Sequence, residues 1–313
     1  MNSVLEKYSG VGLFLASFIA LNVATKCGLL IGVKKLNQNR DCDGKFSKDL
    51  LPYIARQLTE TIPDGGEKPS QVAFHCEQLS AEEMAHRAES YFQLQNQRRS
   101  VRFFREEGFA LETLLACVRT GGTAPSGAHQ QPWHFNVVSS ATLKAEIRAL
   151  VEAEEQVNYD RRMSEAWKND LAPIFEGSAL HQGGEIRKPY LTEAPYVVIV
   201  TSIEHGVDEA GKRFTHHYVK EGVGIACGLF ISALTNLGLF TLTSTPLNAG
   251  SAICRLLERP TNEKLYLLMP VGFPATDATV PYRPERAVVT PVNSSVHPEY
   301  LRKHMDNICR VYE

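Results

Sequence analysis

The sequence predicts a compact domain of mixed helices and strands behind an amino-terminal apolar segment. Three observations point to it. Hydrophobic residues make up 43 % of the 313 positions, enough for a sizeable core and too many for a disordered chain. Pro195-Tyr-Val-Val-Ile-Val-Thr201 is an unbroken apolar run of strand length, the pattern of a strand buried on both faces. From Ser80 onward, helical segments alternate with short apolar runs, an α/β order without repeats or low-complexity tracts.

Each element has its own justification. Gly10 to Val33 is apolar over 24 residues and holds one formal charge, Lys26. As a helix it would be about 36 Å long, enough for a hydrocarbon core near 30 Å. Residues 1–35 therefore read as a single-pass membrane anchor. A cleaved signal peptide and a buried helix compete with that reading; the first has only Lys7, offset by Glu6, before the run. Lys34, Lys35 and Arg40 follow, which places the main domain on the cytoplasmic side. Residues 36–79 lack sustained periodicity and read as a linker. Residues 80–313 form the folded domain. Ser80-x-x-Glu83 is a capping box opening a helix toward Gln97. Leu111 to Thr120 is a second helix, Phe135 to Val138 a strand, and Thr142 to Met163 a long, charge-rich helix. After the buried strand come a helix from Thr215 to Leu237, stopped by Gly238, and a strand from Leu239 to Thr245. A short helix around Ser251 to Glu258 and a strand from Leu265 to Val271 complete the core.

Charge and cysteine usage exclude several functions. The 33 basic and 35 acidic residues nearly balance, which argues against nucleic acid as a partner. The seven cysteines are widely spaced with no C-x-x-C pair, so neither a disulfide scaffold nor a metal site is expected.

Three segments carry candidate chemistry. Arg98-Arg99-Ser100-Val101-Arg102 concentrates three guanidiniums and a hydroxyl in five residues. If extended, 98, 100 and 102 face one way and converge on an anion, for which the planar guanidinium fork suits phosphate. Taken alone, the segment also fits a solvated basic turn. The loop Thr123 to Trp133, with Pro125-Ser126-Gly127-Ala128, has small residues that let backbone amides approach a flat ligand. His129 within it is given no catalytic role. Thr243-Ser244-Thr245-Pro246-Leu247-Asn248 puts hydroxyls at a strand end, either to face a ligand or to cap a helix.

In this order and spacing, and followed by Pro270-Val-Gly-Phe-Pro274, these motifs resemble the nitroreductase superfamily, and within it the halotyrosine deiodinases. The likeness runs from about Glu83 to Pro281. It implies an α+β fold, a mixed sheet flanked by helices in an intertwined homodimer, that binds FMN. Arg98, Arg99, Ser100, Val101 and Arg102 would hold the flavin phosphate and pyrimidine edge, and Ser126 and Gly127 would lie against the ring. Thr245, beside Thr243 and Ser244, would donate to flavin N5 as the catalytic hydroxyl. Arg283 or Arg286 would add a phosphate contact. Gly222, Gly224, Ala226 and Gly228 strip bulk from two rows of the helix from Thr215, room for a second subunit's helix.

The same resemblance narrows the substrate. Glu155 and Tyr159 are four apart and share a helix face. With Lys188 they would bind the ammonium and carboxylate of a halotyrosine, while Ala128 holds its phenolate. On the residues alone, an exposed Glu and Tyr on a charged helix and an unrelated lysine fit better. The implied activity is reductive dehalogenation of 3-iodotyrosine, with NADPH electrons arriving through a separate reductase, since no G-x-G-x-x-G turn follows a strand. A broad nitro or quinone reductase, or a weakly active flavoprotein subunit of a membrane assembly, are the alternatives. The stretch from Trp167 to Lys188 is several residues longer than the family pattern.

Overall fold

The computed structural model describes residues 74–176, 181–182, 185–246, 248–281 and 308–311. The proposed anchor, most of the linker, and Arg283 and Arg286 lie outside them. Among the described residues no helix is long and apolar enough to cross a membrane. The chain divides at Glu77/Gln78, and the second unit carries the elements that follow.

Ser80 accepts a hydrogen bond from the Glu83 amide at 3.2 Å and opens α1 (Ala81–Asn96). Next come α2 (Leu111–Gly122), β1 (Trp133–Val138) and α3 (Ala141–Val157). The long helix expected to reach Met163 instead widens at Asn158, where a π turn spans Asn158–Arg162. Four elements not legible in the sequence follow: α4 (Glu165–Glu176), the strand pair β2 (His181–Gln182) and β3 (Glu185–Ile186), and the short α5 (Tyr190–Glu193). The buried strand is β4 (Tyr196–Ile203), and a further unforeseen hairpin joins β5 (His205–Val207) to β6 (Arg213–Thr215). The last elements are α6 (Val219–Asn236), β7 (Phe240–Thr241), α7 (Gly250–Leu256) and β8 (Glu263–Gly272).

The main sheet has the order β1-β4-β8-β7 with antiparallel pairs. A parallel bridge between Ser100 and Thr241 makes it mixed and lays the arginine-rich segment outside β7. The apolar run in β4 does what its composition requires. Val197 and Ile199 enter one core with Ile147, Val151, Leu191 and Ile253, while Val198 and Val200 enter the other with Leu114, Phe230 and Leu234. Helices α3, α5 and α7 thus cover one face of the sheet, and α2 and α6 the other.

Two expectations change. The strand from Leu239 to Thr245 shrinks to two residues, and only the bridge Ser244–Leu268 continues it. On α6, the row expected to receive another subunit is used inside this chain. A Cβ on Gly222 would lie 3.6 Å from Ser126 Cβ and Trp133 Cζ3, Ala226 is buried, and a Cβ on Gly224 would come within 3.1 Å of the Tyr266 hydroxyl. Of the four small residues, Gly228 is exposed. The small side chains let α6 settle onto α2, the sheet and the Ser126 loop.

Candidate active site

The arginine-rich segment is extended where it meets the sheet. The Val101 amide donates to the Thr241 carbonyl at 3.2 Å, and the Val101 side chain is buried in the core. Strand alternation then turns Ser100 and Arg102 the other way. Burial lowers the basicity of Arg98, helped by repulsion from Arg99. Burial also lowers that of Arg102, against the pull of Tyr190. Arg99 donates to the Pro281 carbonyl at 3.1 Å, which brings the chain end of the described domain to the same place. With Arg99 beside them, these guanidiniums give the segment a positive character that suits an anion.

Ser244 is fixed in the next segment by two backbone bonds to Leu268, 2.9 and 2.8 Å, leaving Thr243 and Thr245 exposed on either side. Neither Ser244 nor Thr245 caps α7, whose N-cap is Ala249. That removes the helix-cap reading of the hydroxyl run.

The substrate candidates come together on α3 and the segment before α5. Lys188 Nζ stands 3.5 Å from Glu155 Oε1, both side chains mostly buried, and 5.9 Å from the Tyr190 ring centroid. Burial disfavours the Lys188 ammonium, yet Tyr190 and Glu155 outweigh it and hold its pKa above the usual lysine value. Tyr190 also acts on Arg102, so it stands between the two groups. The sequence reading missed how the backbone here is held. The Ile186 amide donates to Gln156 at 2.8 Å and the Lys188 amide to Glu152 at 2.5 Å. Helical spacing carries the signal: 152, 155, 156 and 159 share one side of the helix. Lys168, from α4, lies 5.3 Å from the Tyr159 ring centroid.

The Ser126 loop is elsewhere. Its Ser126 hydroxyl oxygen accepts from the Gln131 amide at 2.8 Å, and Gln130 bonds to Thr215 at the end of β6 and to His217 between β6 and α6. A Cβ on Gly127 would come within 2.7 Å of the His217 carbonyl, so only glycine fits there. Ala128, His129 and Gln131 all have φ near +50°, a left-handed conformation that costs non-glycine residues energy and marks constrained sites. This loop precedes β1, at one edge of the sheet, whereas the arginine segment lies outside β7 at the other. Four strand spacings across the sheet, about 19 Å, separate β1 from the arginine segment.

The nitroreductase family model matches residues 96–273, more than half of the chain. The chain belongs to the nitroreductase family. Among its relatives there, iodotyrosine deiodinase of Danio rerio is 46 % identical over 204 residues, covering 65 % of this chain and 66 % of that protein. The matched part thus spans about two thirds of that relative's length. Iodotyrosine deiodinase 1 of Mus musculus is 36 % identical over 272 residues, 83 % of this chain and 92 % of the other. A crystal structure of oxidised iodotyrosine deiodinase bound to FMN and 3-iodo-L-tyrosine superposes with a TM-score of 0.53 at 29 % identity, covering 65 % of this chain and 99 % of that one. The nitroreductase fold is therefore the fold of this chain.

Proposed function

We propose that this chain is an FMN-dependent oxidoreductase that removes halide from 3-iodotyrosine and related halotyrosines. The observation that carries this reading is the mostly buried Glu155–Lys188 pair, with Tyr190 acting on both Lys188 and Arg102. A reductase for neutral aromatics has no use for a fixed anion and cation above its cofactor. A zwitterionic amino acid needs both. The identity to iodotyrosine deiodinases and the likeness to one that binds FMN and 3-iodo-L-tyrosine support the same reading.

The donor set fits FMN. Arg98, Arg99 and Arg102 suit a phosphate, burial having lowered the basicity of Arg98 and Arg102, and Ser100 adds a hydroxyl. Thr243, Ser244 and Thr245 offer hydroxyls beside β8, with Thr245 assigned to the flavin N5 edge. FMN, when bound, supplies the two electrons of the balance Ar–X + H+ + 2 e− → Ar–H + X−. The chain supplies position and electrostatics. Glu155 takes the substrate ammonium, while Lys188 and the Tyr159 hydroxyl take its carboxylate. Each partner replaces the one it holds in the free protein, so the zwitterion enters without stranding a buried charge. The Ala128 amide donates to the phenolate oxygen. Holding that oxygen as an anion makes the halogen-bearing carbon basic enough to accept a proton, which prepares the carbon–halogen bond to break. Closure of Glu155, Tyr159 and Lys188 over the bound amino acid excludes water.

The homodimer belongs to this reading, on a specific ground. One chain holds the arginine segment and Ser126 at opposite sheet edges, so the Ser126–Ala128 loop serves the cofactor of the partner subunit. NADPH electrons through a separate reductase, and attachment to a membrane by residues 10–33, complete the proposal. The test is titration of the FMN fluorescence of the purified, detergent-solubilised protein with 3-iodotyrosine, tyrosine and a nitroaromatic. Strong quenching by iodotyrosine alone is expected. Equal quenching by the nitroaromatic would assign the protein to the broad reductases instead, and a colourless preparation would remove the cofactor.

A further inference from the structure

Glu154 and Glu155 are consecutive on α3, so their side chains leave the helix about 100° apart. Glu155 goes to Lys188. Glu154 goes the other way and joins three elements. Its Oε1 accepts from the Asn248 side-chain amide at 2.7 Å and from the Arg162 guanidinium. Arg162 closes the π turn by donating to Oδ1 of the buried Asn158 at 2.8 Å. Tyr159 sits on that turn. Asn248 lies three residues beyond Thr245, whose other neighbour Ser244 is pinned to β8. Thr245 is thus placed between two anchors, and Glu154 makes one of them. Hydrogen bonds from Asn248 and Arg162 hold the Glu154 carboxyl below the usual carboxylate range, so it stays ionised and keeps both partners at neutral pH. A π turn is an expensive local geometry that clusters at functional positions. An ordinary surface ion pair would explain Arg162 but not the reach across to the hydroxyl loop.

We propose that Glu154 is a positioning residue that ties the end of α3 and its π turn, which carry Glu155 and Tyr159, to the loop carrying Thr245, so that a seated substrate and the Thr245 hydroxyl are placed together. This rests on the function proposed above. Glu155, Tyr159 and Lys188 set the affinity for the amino acid. Glu154 sets where the threonine hydroxyl stands once the amino acid is bound.

The experiment compares the full-length FMN-loaded wild type with Glu154→Ala, Asn248→Ala, the double variant and Glu154→Gln. FMN retention, the Kd for 3-iodotyrosine by flavin fluorescence, and kcat for halide release with dithionite are measured for each. Glu154→Ala and Asn248→Ala are each expected to lower kcat about tenfold while shifting Kd by less than about threefold. The double variant should lose no more than either single one, because both remove the same tie. Glu154→Gln should recover most of the rate, since its amide oxygen still accepts from Asn248. Unchanged kcat, a loss confined to Kd, additive losses or no recovery by Gln would each overturn the proposal. Asn248 is exposed, so its variant keeps the test decisive if Glu154→Ala fails to fold. A wild type that ignores iodotyrosine sinks the functional reading and the tie together. An active wild type with an equally active Glu154→Ala sinks only the tie.

Discussion

Replacing Glu155 by Gln removes one charge from a pair that is mostly buried and leaves the Lys188 ammonium without its counter-ion. Losing a charge-assisted hydrogen bond in such a place costs about 1.5–3 kcal/mol, so the Kd for 3-iodotyrosine should rise roughly 10- to 100-fold while FMN stays bound. Fluorescence titration reads both. Glu263 offers a separate test, of stability. Burial would raise its carboxyl, but hydrogen bonds from His134, Arg259 and Thr201 hold it down at about 2. A carboxyl depressed in the fold stabilises above its unfolded pKa, and that stabilisation is lost as pH falls through the folded value. Between about pH 4.5 and 2 the domain should therefore lose about 3 kcal/mol from this residue. Unfolding of Glu263→Gln should show a flatter acid limb than the wild type. The signal for this network was weak in the sequence, because His134 and Thr201 are brought to the local Arg259–Glu263 pair only by the β1–β4–β8 pairing.

At the scale of elements, α2 ends in two glycines with opposite surroundings. A Cβ on Gly121 would meet the Ala226 carbonyl and the Phe135 ring, both at 3.0 Å, whereas Gly122 has nothing within 4 Å. Gly121→Ala should cost about 1–3 kcal/mol by forcing α2 away from α6. Gly122→Ala should be neutral or gain up to about 1 kcal/mol from helix propensity. Urea unfolding of the two variants side by side distinguishes packing from propensity. The helices with clear start and stop signals were legible: Ser80 caps α1, and Gly238, at φ +67°, closes the turn after α6. The β5–β6 hairpin and α4 were not, since each strand of the hairpin is three residues long and α4 follows α3 after only a π turn and two residues. Neither length nor periodicity marks such pieces.

For the whole molecule, the arrangement across the sheet makes a prediction about the dimer. Arg102→Ala and Gly127→Ala should each abolish halotyrosine turnover. When the two are co-expressed, a heterodimer holds one site with both lesions and one with neither, and should show about half the wild-type activity. If both residues served the same chain's site, every site in the heterodimer would carry a lesion and no activity would return. Halide release from the purified heterodimer decides between them.

Sequence alone determined the fold family, the buried strand, the arginine cluster and the hydroxyl run, because these depend on composition and on spacing along a few residues. The tertiary structure decided that Glu155 faces Lys188 across 33 positions, that Glu154 reaches Asn248, and that the Ser126 loop stands apart from the arginines. Those facts depend on which strands pair and which helix faces meet. Such choices come from the total burial over the two cores, a sum no local window contains.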